Sequence, residues 1–121
     1  MSSTRYQDLR IYRLAEELSD VVWKIVGRWP NFARRTMGEQ LVRCVDSIGA
    51  NTAEGAGRGT FRDNKRFAMI ARGSLYETQY WLRRAYKRGL LQTEETTQLK
   101  NMIDNLIPQF NAYINSLKNR S

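Results

Sequence analysis

Residues 43–77 read RCVDSIGANTAEGAGRGTFRDNKRFAMIARGSLYE. The apolar spacing on both sides of the glycines predicts two helices, joined by a turn that contains Gly55, Gly57 and Gly59. Small residues stand where two such helices would touch, and polar residues lie on or beside the apolar stripes. Polar groups on a buried seam cost free energy unless they are paired. The hairpin is therefore expected to carry a specific polar network, around which outer helices close.

Amphipathic segments flank this hairpin on both sides. One apolar face runs from Ile11 to Trp29, and another runs from Leu99 to Leu117. Four helices with short connections pack with consecutive helices antiparallel. The sequence thus predicts an all-α fold, an antiparallel up-down-up-down four-helix bundle, in a single domain of residues 1–121. The predicted helices cover about 8–28, 36–56, 63–88 and 93–117.

Local signals set the predicted helix ends. Thr36 begins the T-x-x-E pattern of a capping box, which predicts the start of the second helix. Asp63 and Thr93 are the predicted N-caps of the third and fourth helices, and Gly89 is the predicted residue after the end of the third. Pro108 is expected to kink the fourth helix or divide it.

The short turn also predicts which hairpin residues face each other. If the turn centres near Thr60, Arg43 faces Glu77 and Glu54 faces Arg66, so opposite charges meet. We interpret the polar residues of the seam as a structural network that fixes the register of the helices. The alternative is a polar ligand pocket or a catalytic carboxylate pair. The residues of the predicted network are Arg43, Asn51, Glu54, Ser74 and Glu77.

The composition limits the chemistry that the chain can perform. It contains no histidine and one cysteine, Cys44. These absences remove the commonest general base, the usual zinc ligand sets and histidine-activated nucleophiles. The glycines after the second helix lack the strand and the Gly-Lys-Ser/Thr ending of a phosphate loop. We therefore expect no enzymatic activity, no metal and no cofactor.

The sequence also bears on where the protein is located. The apolar runs are far shorter than the ~20 residues that a membrane span requires, and the first residues lack the apolar core of a signal peptide. A single cysteine suits a reducing compartment. The expectation is a cytoplasmic protein without membrane contact.

Basic residues are concentrated in the middle of the chain. The net charge is +8, and residues 34–88 hold twelve Lys/Arg against five Asp/Glu, a net of +7. Fifteen of the twenty basic residues are arginine, which pairs bidentately with phosphate and carboxylate groups. This predicts a polyanionic partner, with nucleic acid as the leading hypothesis and an acidic protein as the alternative. The candidate nucleic-acid-binding residues are Arg34, Arg35, Arg58, Arg62, Lys65, Arg66, Arg72, Arg83, Arg84, Lys87 and Arg88.

Two motifs of the hairpin resemble one protein family. They are N-x-A-E-G at residues 51–55 and G-S-x-x-E at residues 73–77. In these motifs, and over roughly residues 8–115, the chain resembles the 23S rRNA intervening-sequence or four helix bundle proteins of bacteria. Gly49 and Thr52 depart from the family, which usually has proline and isoleucine at these positions.

The resemblance implies properties that the residues alone do not give. It implies a four-helix bundle that assembles as a homopentamer with basic surfaces and no established enzymatic activity. Related proteins accompany the reverse transcriptases of diversity-generating retroelements and are thought to bind nucleic acid. A reverse transcriptase or another protein partner is therefore an expectation alongside the homo-oligomer.

Overall fold

Four long helices make up most of the structure. The structure, a computed structural model, describes residue 6 and residues 9–118. In chain order the helices are α1 (Arg10–Gly27), α2 (Glu39–Ala56), α3 (Phe61–Lys87) and α4 (Thr93–Lys118). The described residues contain no strand, which confirms the predicted all-α class.

The order of the helices in space follows their order in the chain. The most extensive contact is between α2 and α3; α1 packs on α2, α4 packs on α3, and α4 closes the bundle against α1. Short connections join these neighbours, so successive helices run antiparallel. The predicted up-down-up-down bundle is confirmed.

The predicted apolar stripes form the core. Every stripe residue of α1 between Ile11 and Trp29 is buried, and Phe110 of α4 is fully enclosed. The apolar spacing of α3 predicts a core position at Ile70 or Ala71 and a face that extends to Tyr86. Ala71 is the buried one, since Ile70 is 43% exposed, and Tyr86 lies outside the core with 57% exposure. α3 packs mainly on its neighbours α2 and α4, and the large side chains of Ile70, Tyr76 and Tyr80 on this helix are exposed.

The connection between α1 and α2 differs from the capping-box prediction. Helical backbone begins at Asn31, directly after Pro30, and passes through a π-helical turn, Arg34–Gly38, into α2. The hydroxyl of Thr36 donates to the carbonyl oxygen of Phe32 (2.7 Å), so Thr36 lies inside helical structure and does not cap it. The predicted start at Thr36 is therefore wrong, since helical structure has already begun at Asn31, directly after Pro30.

Glycine permits the π-helical turn to approach α1. A Cβ atom at Gly38 would lie 2.8 Å from Cγ1 of Val26 and 3.2 Å from the carbonyl oxygen of Ala33. α1 itself ends at Gly27, one residue before the predicted end at about residue 28. Residue 8, where the first helix was predicted to begin, lies outside the described residues, and α1 begins at Arg10.

The caps of α3 and α4 lie next to the predicted ones. Thr60 caps α3, since its hydroxyl accepts from the backbone N–H of Asp63 (3.1 Å), and Asp63 is the third residue of the helix. α4 begins at Thr93, so Gln92 holds the cap position, and its N–H donates to the carboxylate of Glu95 (2.8 Å). Each prediction identified a residue of the first turn and misplaced the cap.

The end of α3 agrees with the prediction. Gly89 has φ of +72°, and the N–H groups of Gly89 and Leu90 donate to the carbonyl oxygens of Tyr86 and Ala85. This pair of bonds is the Schellman motif. Pro108 lies within α4, which continues as one helix from Thr93 to Lys118, so the predicted division does not occur.

Candidate nucleic-acid interface

The eleven candidate basic residues do not form one continuous patch on the chain. A first group lies beside the α2–α3 turn, and we call it the turn-end cluster: Arg58, Arg62, Lys65 and Arg66. A second group lies at the opposite end of α3, and we call it the loop-end cluster: Arg34, Arg35, Arg83, Arg84, Lys87 and Arg88. The stretch of α3 from Arg62 to Lys87 is about 38 Å long, because an α-helix rises 1.5 Å per residue.

Aromatic contacts organise the turn-end cluster. The guanidinium carbons of Arg58 and Arg66 lie 4.7 and 4.6 Å from the centroid of the Phe67 ring, within the range of cation–π attraction. Arg58 also pairs with Glu54 of the preceding turn (3.2 Å). No described residue forms an ion pair or a hydrogen bond with the side chain of Arg62. The cluster surrounds the N-terminus of α3, where the helix dipole favours anions.

Tertiary contacts assemble the loop-end cluster from two parts of the chain. The indole N–H of Trp29 donates to a backbone carbonyl of the α3–α4 connection (3.0 Å), and a guanidinium nitrogen of Arg88 lies 3.4 Å from the Met37 sulfur. These contacts place the π-helical turn with Arg34 and Arg35 at the same end as the last turn of α3. Sequence spacing alone could not have joined these segments.

The remaining candidate, Arg72, lies between the clusters. Its guanidinium donates to the side-chain carbonyl of Asn111 (2.9 Å) and is half-buried between α3 and α4. This arginine therefore holds two helices together. Most of the other candidates are exposed, and Lys65 and Arg84 are half-buried.

The predicted charge pairs across the hairpin are wrong. Arg43 pairs with Glu39 of its own helix (2.9 Å), and Glu77 accepts a hydrogen bond from the indole of Trp81 (3.1 Å). Glu54 pairs with an arginine one turn ahead, as described above. Partners four residues apart on one helix are closer than the facing helix, so these exposed carboxylates are satisfied locally.

The seam between α2 and α3 instead contains hydroxyl and amide groups. Ser47 and Ser74 share a hydrogen bond of 2.9 Å, and the Asn51 amide donates to the Ser47 hydroxyl (2.8 Å). Farther along, the Cys44 sulfur lies 3.2 Å from the hydroxyl of Thr78. The structure therefore brings together Asn51 and Ser74 of the predicted network, in nearly the predicted register. The three charged members, Arg43, Glu54 and Glu77, do not take part in this seam.

The carboxylates show no grouping that suggests catalysis. Glu54 and Glu77 are exposed on different helices, and neither lines the grooves described below. Within residues 6 and 9–118, Asp, Glu and Cys side chains nowhere gather in a group of three or more that could hold a metal ion. The positions of these carboxylates do not indicate a particular catalytic reaction.

Two of the three described groups with a shifted pKa lie in or against the core, and the third, Tyr12, has its pKa raised by a hydrogen bond to the exposed Glu16. Burial raises the pKa of the Cys44 thiol to about 11. Burial also raises the pKa of Tyr113, whose hydroxyl is hydrogen-bonded to Asn64. Cys44 is thus a neutral, buried thiol, and the structure gives it no activating partner.

Large apolar side chains are exposed on several faces, and on two of them they line grooves. On the α2–α3 face, Tyr80 stacks edge-to-face on the half-buried Trp81, and both line a groove with Phe32, which is 80% exposed. On the α1–α2 face, Trp23 is 66% exposed and borders a second groove with Val42. These surfaces could not be predicted from the sequence, because the apolar spacing of a helix does not show which residues a neighbour covers.

A third groove, of about 390 Å³, lies between the last turns of α3 and the first half of α4. Its lining includes Arg83 and Lys87 of the loop-end cluster, together with Tyr86 and Lys100. Lys100 was absent from the predicted set, since it follows the core residue Leu99 and only the packing of α4 on α3 brings it near the basic residues.

Two comparisons with known proteins agree with this architecture. The family described as 23S rRNA-intervening sequence protein matches residues 7–112. The crystal structure of a protein of unknown function from the S23 ribosomal protein family of Bacteroides thetaiotaomicron is similar, with a TM-score of 0.76 and 20% identity over 86% of this chain and 97% of that one. That likeness shows the fold alone. No curated protein matches this chain.

Proposed function

The chain belongs to the family of 23S rRNA-intervening sequence proteins, and we propose that it is a non-enzymatic protein that binds nucleic acid through its two basic clusters and assembles with copies of itself. The observation that carries the proposal is the number of candidate cations without a carboxylate partner among the described residues. Four ion pairs form among the described residues, and Arg58 is the single candidate that takes part in one. The other cations in the clusters remain available to phosphate groups.

The distribution of these cations supports a polyanion more than a small anion. The clusters lie at the two ends of the bundle, and a partner that contacts both must be extended over tens of ångströms. Each phosphate that the protein neutralises releases a counterion, so binding should weaken steeply with salt.

Titrations with short labelled RNA and DNA test this proposal. We expect binding at about 20 mM salt that weakens by at least tenfold at about 200 mM, as several phosphate contacts require. Absence of binding at the lower salt concentration would overturn the proposal.

Paired charge reversals assign the contribution of each end. Arg62→Glu with Arg66→Glu removes the turn-end cations, and Arg84→Glu with Lys87→Glu removes cations of the loop end. Each double variant should reduce both the affinity and the slope of log K against log salt. Arg13→Glu with Lys24→Glu makes the same change of charge on α1, outside both clusters, and is the matched control. An equal loss in all three variants would indicate a general charge effect without a site.

Self-association is supported by the exposed aromatic residues. The α1–α2 face presents Trp23, and the α2–α3 face presents Phe32 and Tyr80. Two different apolar faces on one chain suit head-to-tail contacts, which close into a ring when the rotation permits. The family resemblance implies five copies. Light scattering should therefore give a molar mass that is a multiple of the chain mass. Tyr80→Glu should lower this molar mass. A monomeric wild type would contradict the proposed assembly.

A role as an adaptor for an acidic protein is a second candidate, favoured by the same aromatic faces beside basic residues. A pull-down that retains a protein partner after nuclease treatment would support it over nucleic-acid binding.

We also propose a cytoplasmic location, supported by the single buried thiol. Among the described residues, no helix combines the length and the apolar character of a bilayer span.

A further inference from the structure

We infer that the groove between α3 and α4 receives an unpaired nucleobase, so that the chain prefers single-stranded nucleic acid to duplex; this rests on the proposed function above. The groove has a volume of about 390 Å³, within the range of small-ligand sites. Its position in the loop-end cluster places it where the proposed function already requires phosphate contacts.

The floor of the groove is apolar and rigid. It is formed by Leu82, Leu99 and Ile103, each less than 10% exposed and part of the hydrophobic core. Tyr86 stands beside this floor with 57% of its surface exposed. An aromatic ring next to a fixed apolar floor offers a surface on which the flat face of a base can stack.

The rim of the groove is cationic. Arg83, Tyr86 and Lys87 are three and four residues apart, so they share one face of α3. No described residue forms an ion pair or a hydrogen bond with the side chain of Arg83 or Lys87. Across the groove, Lys100 is held by Asp104 at 2.6 Å, which leaves the net charge of the rim positive. A phosphate beside the stacked base would meet the two unpaired cations.

The turn-end cluster lacks this combination. Its surface depression is lined by Arg62, Lys65 and Arg66 with Thr60 and Asp63, and Met69 is its one large apolar side chain. Phosphates can bind there, but the depression has no aromatic side chain in its lining, and the nearby Phe67 ring already contacts two guanidinium groups. Selection of single strands should therefore reside in the loop-end groove.

Duplex bases are stacked on each other and cannot enter the groove without unstacking. We therefore expect a labelled single strand to bind at least about fivefold more tightly than a duplex of the same sequence at equal salt, the size of effect that one base–aromatic stack supplies. Tyr86→Ala should remove most of this preference by weakening single-strand binding alone. Tyr86→Phe keeps the ring, removes the hydroxyl and should bind as the wild type does.

The experiment is an anisotropy titration of the wild type and both variants with single-stranded and duplex probes. Circular dichroism checks that the exposed substitution leaves the fold intact. Loss confined to single strands in Tyr86→Ala, with Tyr86→Phe unchanged, supports the inference. Equal affinity for both probes in the wild type, or no effect of Tyr86→Ala, overturns it, while salt-dependent binding still upholds the proposed function. A wild type that binds neither probe removes the proposed function itself.

Discussion

Gly55 and Gly49 lie on the same helix, yet only Gly55 is required by a close contact. A Cβ atom at Gly55 would lie 2.8 Å from the Cβ of Phe67 and 3.1 Å from the carbonyl oxygen of Asn64, neither of which can rotate away. At Gly49 the nearest atom is 3.7 Å away, in the ring of Tyr12. The small residues around Gly49 predict a close approach there, and Gly55 is predicted to permit the turn; the close contact lies at Gly55 instead.

Alanine substitutions should separate these two positions. Gly55→Ala should lower the free energy of unfolding by about 1–3 kcal/mol because the interface between α2 and α3 must open. Gly49→Ala should raise it by about 0.5–1 kcal/mol, since alanine loses less backbone entropy than glycine in a helix. Urea denaturation measures both; stabilisation by both substitutions would contradict the close contact at Gly55.

The raised pKa of Cys44 predicts a loss of stability at high pH. The thiol ionises near pH 9 in the unfolded chain and near pH 11 in the folded protein. Between these values the unfolded state loses its proton first, so the free energy of unfolding should fall with rising pH by up to about 2 kcal/mol. Below pH 9 this contribution is fully present.

Cys44→Ala provides the comparison, because tyrosines and lysines titrate in the same range. The variant starts from a lower stability, since the substitution leaves space in the core. Its stability should decline less steeply than that of the wild type between pH 9 and pH 11. Parallel declines would mean that the buried thiol does not titrate as its surroundings predict.

At the scale of elements, the end of α3 depends on one left-handed residue. Gly89 has a φ of +72°, where a Cβ atom costs about 1–2 kcal/mol. Gly89→Ala should lower the free energy of unfolding by that amount. Gly59 in the α2–α3 turn has neither a positive φ nor a neighbouring atom within 4 Å of a Cβ, so Gly59→Ala should be neutral or stabilise by up to about 1 kcal/mol. Similar losses in both variants would contradict this assignment.

Helix interiors were easier to predict than helix starts. The apolar stripes gave the core of α1, α2 and α4 because burial repeats with the helical period over many turns. Starts depend on a few residues, and a Thr or Asp at either of two nearby positions satisfies the same pattern, as Thr60 and Asp63, three residues apart, show. The pattern at Thr36 failed because Pro30 had already begun the helix.

The candidate site was only partly predictable for a related reason. The basic residues could be read from the sequence, but their division into two clusters required the packing of the α1–α2 connection on the end of α3. The groove beside Tyr86 required the register of α4 on α3, which brings Lys100 to its rim. Sequence spacing describes one helix at a time and contains neither relation.

At the scale of the whole molecule, charge repulsion should limit stability at low salt. The net charge is +8, and the four ion pairs among the described residues are all at least partly exposed, so each contributes little. Raising sodium chloride from about 20 to 200 mM screens the repulsion and should raise the urea midpoint at constant protein concentration.

A variant with less charge serves as the control for this effect. Arg62→Gln with Arg66→Gln removes two positive charges from the turn-end cluster and should show a smaller response to salt than the wild type. A wild-type midpoint that falls with added salt would mean that attractive pairs outweigh repulsion across the molecule.

The π-helical turn at Arg34–Gly38 also affects how the chain tolerates changes of length. A π turn holds one residue more than an α turn, so deleting Arg35 can convert it to α-helix while leaving both flanking segments in phase. Deleting Ser47 from the middle of α2 would instead rotate the following residues by about 100° and move their apolar face out of the core. Thermal unfolding should therefore find the first deletion mild and the second severe, which marks this corner as the place where relatives that are one residue shorter can keep the same bundle.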